Sequence, residues 1–206
     1  MLIGARRARQ LLTRDGVSHW SAERVLVSGI AGEPLRSGSA VLYDEARVAE
    51  LAERPSVEWP GLEQHCPAGV FVSRREFPVM AGRAEQLAAL SRGWSAISPW
   101  IWIAMSHRIR SHGHFPFVAT VGGLVVLGAD IVEVRGLSEL VLAQPGPWFE
   151  AVSRHWLPTG RGRPWLLSLG PGTATVTQTQ TAPPATTDGP SRGGAGLSPC
   201  GAGSPR

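Results

Sequence analysis

Apolar positions in the first fifty residues recur at helical spacing in three separate blocks. In Ala5–Leu12, Ala8, Leu11 and Leu12 share one side and Arg6, Arg7 and Arg9 the other, which predicts a short helix. Asp15, Gly16, Val17 and Ser18 then predict a tight turn, with Gly16 free to adopt an angle other residues avoid and Ser18 placed to cap a second helix. Over residues 18–28, Ala22, Val25, Leu26 and Gly29 follow the spacing of one buried stripe, leaving His19, Ser21, Glu23 and Arg24 facing outward. Gly29, Gly32 and Pro34 stop that helix, and Val41, Leu42 and Tyr43 favour strand, so residues 30–43 predict a small hairpin or wing. Asp44 caps a third helix running to Glu53, with Glu45 in its first turn, Val48, Leu51 and Ala52 on its buried side and Pro55 past its end. The expected order over residues 1–55 is helix, turn, helix, wing, helix.

The pattern changes at 56–67, where Trp and Pro replace the charge alternation and predict a linker. Beyond it, residues 70–72 and Phe77 are strand-like, and Ala84, Leu87, Ala88 and Leu90 mark a helix ended by Gly93. Ser98 and Pro99 suit a cap and a first helical position, while Trp100, Ile101, Trp102 and Ile103 suit a buried strand equally well. Two apolar runs, 117–121 and 124–127, flank Gly122 and Gly123 as the strands of a β-hairpin flank its loop. Their lack of polar alternation predicts cover on both faces. Residues 131–134 suggest a third strand, Pro147, Phe149, Val152 and Trp156 an amphipathic helix, and residues 165–167 a closing strand. The expected fold class is therefore α+β: an N-terminal module over 1–55, a linker over 56–67, and a mixed α+β domain over 68–169. Residues 170–206 are almost all Pro, Gly, Ser, Thr, Ala and Gln, too apolar-poor to offset the entropy of ordering, and predict a disordered tail.

Composition narrows the function classes. The chain has 206 residues, 43% hydrophobic and 17% charged, enough for real cores. Its twenty basic residues are all arginine, against sixteen acids, so the net charge of +4 does not by itself make a polycation. Two cysteines, Cys66 and Cys200, do not make a disulfide framework and point to the reducing cytoplasm. The arginines at positions 6, 7 and 9 are not followed by the apolar stretch of a signal peptide. The most apolar window, 115–132, is split by glycines as paired strands are, and a spanning helix is not expected. The expectation is a cytoplasmic protein without a membrane partner.

Leu11 and Leu12, Gly16-Val17-Ser18, Gly29-Ile30, Pro34, Arg36, Gly38 and Leu42-Tyr43-Asp44-Glu45, followed by Val48 and Leu51, occur in the order found in the winged helix-turn-helix domain of the MerR and excisionase group. Residues 5–54 resemble that domain. The resemblance implies a helix in the major groove after the Gly-Val-Ser turn, and a wing on the DNA backbone. It assigns Ser18, His19, Ser21 and Arg24 to the groove, Arg36 and Ser37 to the wing, and Arg6, Arg7 and Arg9 to phosphates. The chain departs from the group in carrying a single basic residue, Arg24, in the second helix, beside Glu23 and with Trp20 early. Residues 1–55 hold eight arginines against seven acids. The physical reason for the assignment does not depend on the family: polar groups at the start of a helix can reach base edges while flanking arginines neutralise phosphates.

Double-stranded DNA is thus the expected partner, bound without chemistry as by a bacterial-type transcriptional regulator or excisionase-like factor. A homodimer is expected, because one short helix reads few base pairs. A protein-interaction adaptor, whose N-terminal helical module docks another protein, is the alternative. No cofactor, metal or catalytic residue is expected. His107, His112 and His114 lack the spacing of a zinc site, Cys66 lacks a nucleophile motif, and no phosphate-loop pattern accompanies Gly122, Gly123 and Gly128. An enzyme site among Arg108, His112, His114 and Asp130 is a distant third reading. Eight tryptophans suit core packing before an aromatic pocket.

Overall fold

The computed structural model describes residues 1–160 and 162–170. The chain begins with a strand that the hydrophobic pattern does not announce, β1 (Leu2–Gly4), which pairs antiparallel with β3 (Ala40–Asp44) and sets buried Ile3 against Tyr43. Helix α1 (Ala5–Leu12) buries Ala8 and Leu12 as its spacing requires. Arg14 and Val17 then exchange backbone hydrogen bonds of 2.9 and 3.3 Å, closing a turn in which Gly16 takes φ +76°. Ser18 caps α2 (His19–Val27), its Oγ accepting from the Ser21 N–H at 3.2 Å, and Ala22, Val25 and Leu26 go inward. Strand β2 (Leu35–Ser37) pairs with β3, Ser37 opposite Ala40, so Gly38 and Ser39 form the hairpin loop. The Asp44 carboxylate accepts from the Ala46 N–H at 2.9 Å and starts α3 (Glu45–Glu53), which buries Val48 and Leu51.

The stretch 56–67, expected as a linker, contains a packed helix, α4 (Trp59–His65). Pro60 fits its first turn, where no N–H is needed, and Leu62 and the adjoining Cys66 are buried. Glu63 accepts from the Trp59 indole at 3.0 Å and from the Ser168 hydroxyl at 2.6 Å, tying the helix to the last strand of the fold.

A five-stranded sheet comes next, in the order β7 (Glu139–Ala143), β6 (Leu124–Arg135), β5 (Phe115–Val121), β4 (Val70–Ser73), β8 (Trp165–Ser168). Only β4 and β5 run parallel, and the crossover between them holds α5 (Arg83–Ser91) and α6 (Pro99–His112). Residues 100–103, open to two readings in sequence, are helical within α6. Three expectations are corrected here. Phe77 belongs to the loop after β4. Residues 131–134 continue β6 past a register shift, and the added edge strand is β7 instead. The helix expected around Pro147–Trp156 is a single 3-10 turn, Pro147–Phe149, followed by irregular turns. Trp156 is drawn away from any helix by its neighbours: its backbone N–H donates to Pro55 O at 2.8 Å and its indole to Leu51 O at 2.8 Å.

Three cores result. One sheet face packs Phe71, Phe117, Trp94, Trp102 and Met105 beneath α5 and α6. The other packs Val72, Val118 and Val125 against Leu62, Val152 and Leu157. The third joins α1, α2 and α3 to Val121, Leu124 and Trp156, so the N-terminal helices close over residues of the later sheet and the segment beyond it. The described chain is a mixed α+β fold with six α-helices and two sheets. The tail expected over 170–206 lies, apart from Gly170, outside the described residues.

Candidate nucleic-acid interface

The residues assigned to DNA fall into two groups. Arg6 and Arg7 are exposed on α1, Arg36 and Ser37 are exposed beside the wing tip, and none of the three arginines makes an ion pair among the described residues. Ser18 and His19 are exposed at the start of α2, Ser18 acting as its cap and His19 placing Nδ1 3.3 Å from the Thr13 hydroxyl. The remaining three are engaged within the chain. Arg9 lies 3.1 Å from Glu23. Arg24 stacks its guanidinium 4.9 Å over the Trp20 ring and reaches Glu76 at 3.3 Å. Ser21 sits under the β5–β6 turn, where a Cβ on Gly122 would lie 2.2 Å from the Ser21 carbonyl oxygen.

The later part of the chain therefore leans on the second helix. Burial, with the nearby Arg24 charge, pulls the Arg74 guanidinium below its ordinary value, and Arg74 donates to Thr159 O at 3.2 Å. Burial pushes the Tyr43 phenol up, the Glu23 carboxylate adds to this and Arg36 opposes it, so charges of α2 and of the wing both act on Tyr43 in β3.

Two features escape a reading of the sequence. Arg14, which stands in the chain beside the flanking arginines, is structural: it donates to the carbonyls of Ala52, at 2.7 Å, and of Arg54, and its guanidinium lies 5.7 Å from the Trp156 ring centroid. The outward side of α2 is apolar as well as polar. Trp20 is 42% and Val27 74% exposed, and with Met80, 74% exposed, and Phe77 they line a cleft of about 520 Å³. The available signal was Trp20 and Val27 standing seven residues apart on the face opposite the buried stripe.

The other candidate chemistry is dispersed. Among the described residues no group of three or more His, Cys, Asp or Glu is placed to hold a metal ion. Asp130 accepts from the Trp148 indole at 2.8 Å and the Gly146 N–H at 2.9 Å, which makes it a strut for the loop after β7. Cys66 is fully buried, and burial, helped by the Asp130 charge, pushes its thiol up to about 12. No described helix is long and apolar enough to cross a membrane. No family model matches the chain, no curated protein matches it, and no solved structure matches its fold.

Proposed function

We propose that residues 1–55 act as a winged helix-turn-helix that binds duplex DNA without chemistry, in a regulator or excisionase-like factor that works as a homodimer. The supporting observation is the arrangement of β1, α1, turn, capped α2, hairpin and α3 on one small sheet, with Arg6, Arg7 and Arg36 left exposed and unpaired among the described residues. Free guanidiniums on a helix and a wing tip suit phosphates, and the open start of α2 suits base edges.

Contacts of Arg24 with Trp20 and Glu76 add a condition: this arginine must be released to reach a base. Electrophoretic mobility shift on genomic fragments across a salt series is the test. Affinity falls steeply with salt, because phosphate contacts release counterions, and the joint Arg6→Ala, Arg7→Ala, Arg36→Ala variant flattens that slope. Salt-independent binding, or none at low salt, defeats the proposal.

The adaptor reading keeps one specific support, the exposed apolar surface of Trp20, Val27 and Met80. Val27→Arg separates the two. It adds a cation to α2 and leaves or raises DNA affinity, whereas it abolishes apolar docking of a protein.

A further inference from the structure

A second cleft, of about 540 Å³, shares no lining residue with the first and lies between α3 and the turn at 149–154. Three arginines line it. Arg47 and Arg54 come from α3 and its end, and Arg154 comes from the turn. The lining has one carboxylate, Glu50, 3.1 Å from Arg54 and 3.9 Å from Arg47, so two positive charges stand in excess. Ser153 adds a hydroxyl, while Ile30, Val126 and Phe149, each partly exposed, give the cleft an apolar side.

Arg154 stands out in its backbone. It is the one non-glycine among the described residues with positive φ, 60°, a conformation L side chains disfavour. The turn is pinned on both sides: Ser153 N–H donates to Phe149 O at 2.8 Å, the His155 ring nitrogen Nδ1 lies 2.9 Å from Ser153 O, and Trp156 N–H donates to Pro55 O at 2.8 Å. Strain of this kind persists only where the surroundings over-determine it, and it collects at ligand sites. Here it delivers Arg154 to the same cleft as the two arginines of α3, and Arg154 makes no ion pair among the described residues.

We propose that this cleft binds a small organic phosphate, a phosphate monoester on an apolar or aromatic body. The guanidinium forks match a dianionic phosphate, and excess positive charge on the rim attracts an anion. The volume is that of a small-molecule site, and inorganic phosphate would leave the apolar side unfilled. None of the lining residues is assigned to DNA, so the site stands whether or not the N-terminal module binds a duplex.

Isothermal titration of the full chain with 1-naphthyl phosphate tests it, with 1-naphthol and inorganic phosphate as controls. One molecule binds per chain, inorganic phosphate binds at least tenfold more weakly, and 1-naphthol does not bind. Arg154→Gly weakens binding at least tenfold while the melting temperature holds or rises, because glycine is at ease at this φ. Arg47→Gln, at a side chain 61% exposed, weakens binding with melting unchanged. The ligand raises the melting temperature of the wild type more than that of either variant. The proposal is overturned if millimolar 1-naphthyl phosphate gives neither heat nor a melting shift, or if binding survives both substitutions. It is equally overturned if the two variants lose affinity for duplex DNA alone, which would make the arginines backbone contacts.

Discussion

Arg14 precedes α2 in the chain, yet its guanidinium serves the end of α3. It donates to two carbonyls that the helix and its C-terminal residue leave without intrahelical partners, and it packs beside Trp156. Arg14→Ala therefore lowers unfolding free energy by about 2–3 kcal/mol, since charge-assisted bonds to part-buried carbonyls are lost together, and a urea titration measures it. Arg14→Lys does not restore it, because an ammonium lacks the fork that spans two carbonyls. Nothing local marks this residue: in sequence it is one more arginine after Arg6, Arg7 and Arg9, and its partners lie 38 and 40 residues on. Cys66 is the opposite case, a lone thiol without a nucleophile motif whose side chain is fully buried. Its folded thiol titrates at about 12 against an ordinary value of 9.0, so below the unfolded value both states hold the proton and its contribution is fully present. Between about 9 and 12 only the unfolded state ionises, and stability falls as pH rises. In a Cys200→Ser background, the remaining thiol should react with a disulfide reagent at about pH 8, below its folded titration, only as fast as the protein opens. Rapid reaction without denaturant would show that Cys66 is not sealed.

Elements with a period or a cap of their own are legible, and those defined by a distant partner are not. Helices α1, α2 and α3 and the wing follow from Ala8, Leu12, Ser18, Asp44 and the glycines between them, and the β5–β6 hairpin from two apolar runs around Gly122 and Gly123. Strands β1 and β7 are short and have meaning only against β3 and β6, and α4 is a seven-residue helix whose single fully buried apolar residue, Leu62, gives no period. Residues around Pro147–Trp156 carry helical spacing, but Trp156 gains more from the N-terminal core than a helix would return. The hairpin supports two expectations. Val125 is buried between Leu62, Cys66, Val72 and Val152 on one sheet face, so Val125→Asp costs about 3–5 kcal/mol and removes the cooperative transition seen by circular dichroism. Gly122→Ala meets two obstacles at once, a left-handed φ of +58° and the Ser21 carbonyl, and should cost at least about 1–2 kcal/mol while displacing α2. A neutral Gly122→Ala would mean that α2 does not rest on the turn, and that the residues proposed to contact DNA are free of the later sheet.

At the scale of the molecule, the division at residues 55–56 is a change of composition and not a break in packing. The pattern that suggests a linker, Trp and Pro without charge alternation, arises because this segment is itself packed: Leu62 and Cys66 enter a core, and Ser56 bridges to Trp156 in parallel. Trp156 closes the N-terminal helices from below with its indole on Leu51 O, and Val121 and Leu124 join it, all from beyond residue 120. An isolated fragment of residues 1–57 lacks these three side chains, exposes the inner faces of Val25, Leu26 and Leu51 and leaves the Leu51 carbonyl without its indole donor. So short a chain has little core to spare, and losing one Trp-sized component of a packed site typically costs about 3–5 kcal/mol. The fragment should therefore show little helical signal at about 25 °C, while the full chain unfolds in urea as one transition, with far-ultraviolet dichroism and tryptophan fluorescence superimposing. Trp156→Ala in the full chain should shift both probes together, because the residue belongs to the core of one part and to the backbone of the other. Two separated transitions, or a stably folded 1–57, would restore the N-terminal module as an autonomous domain and leave its contact with the later sheet as docking between two independently folded parts.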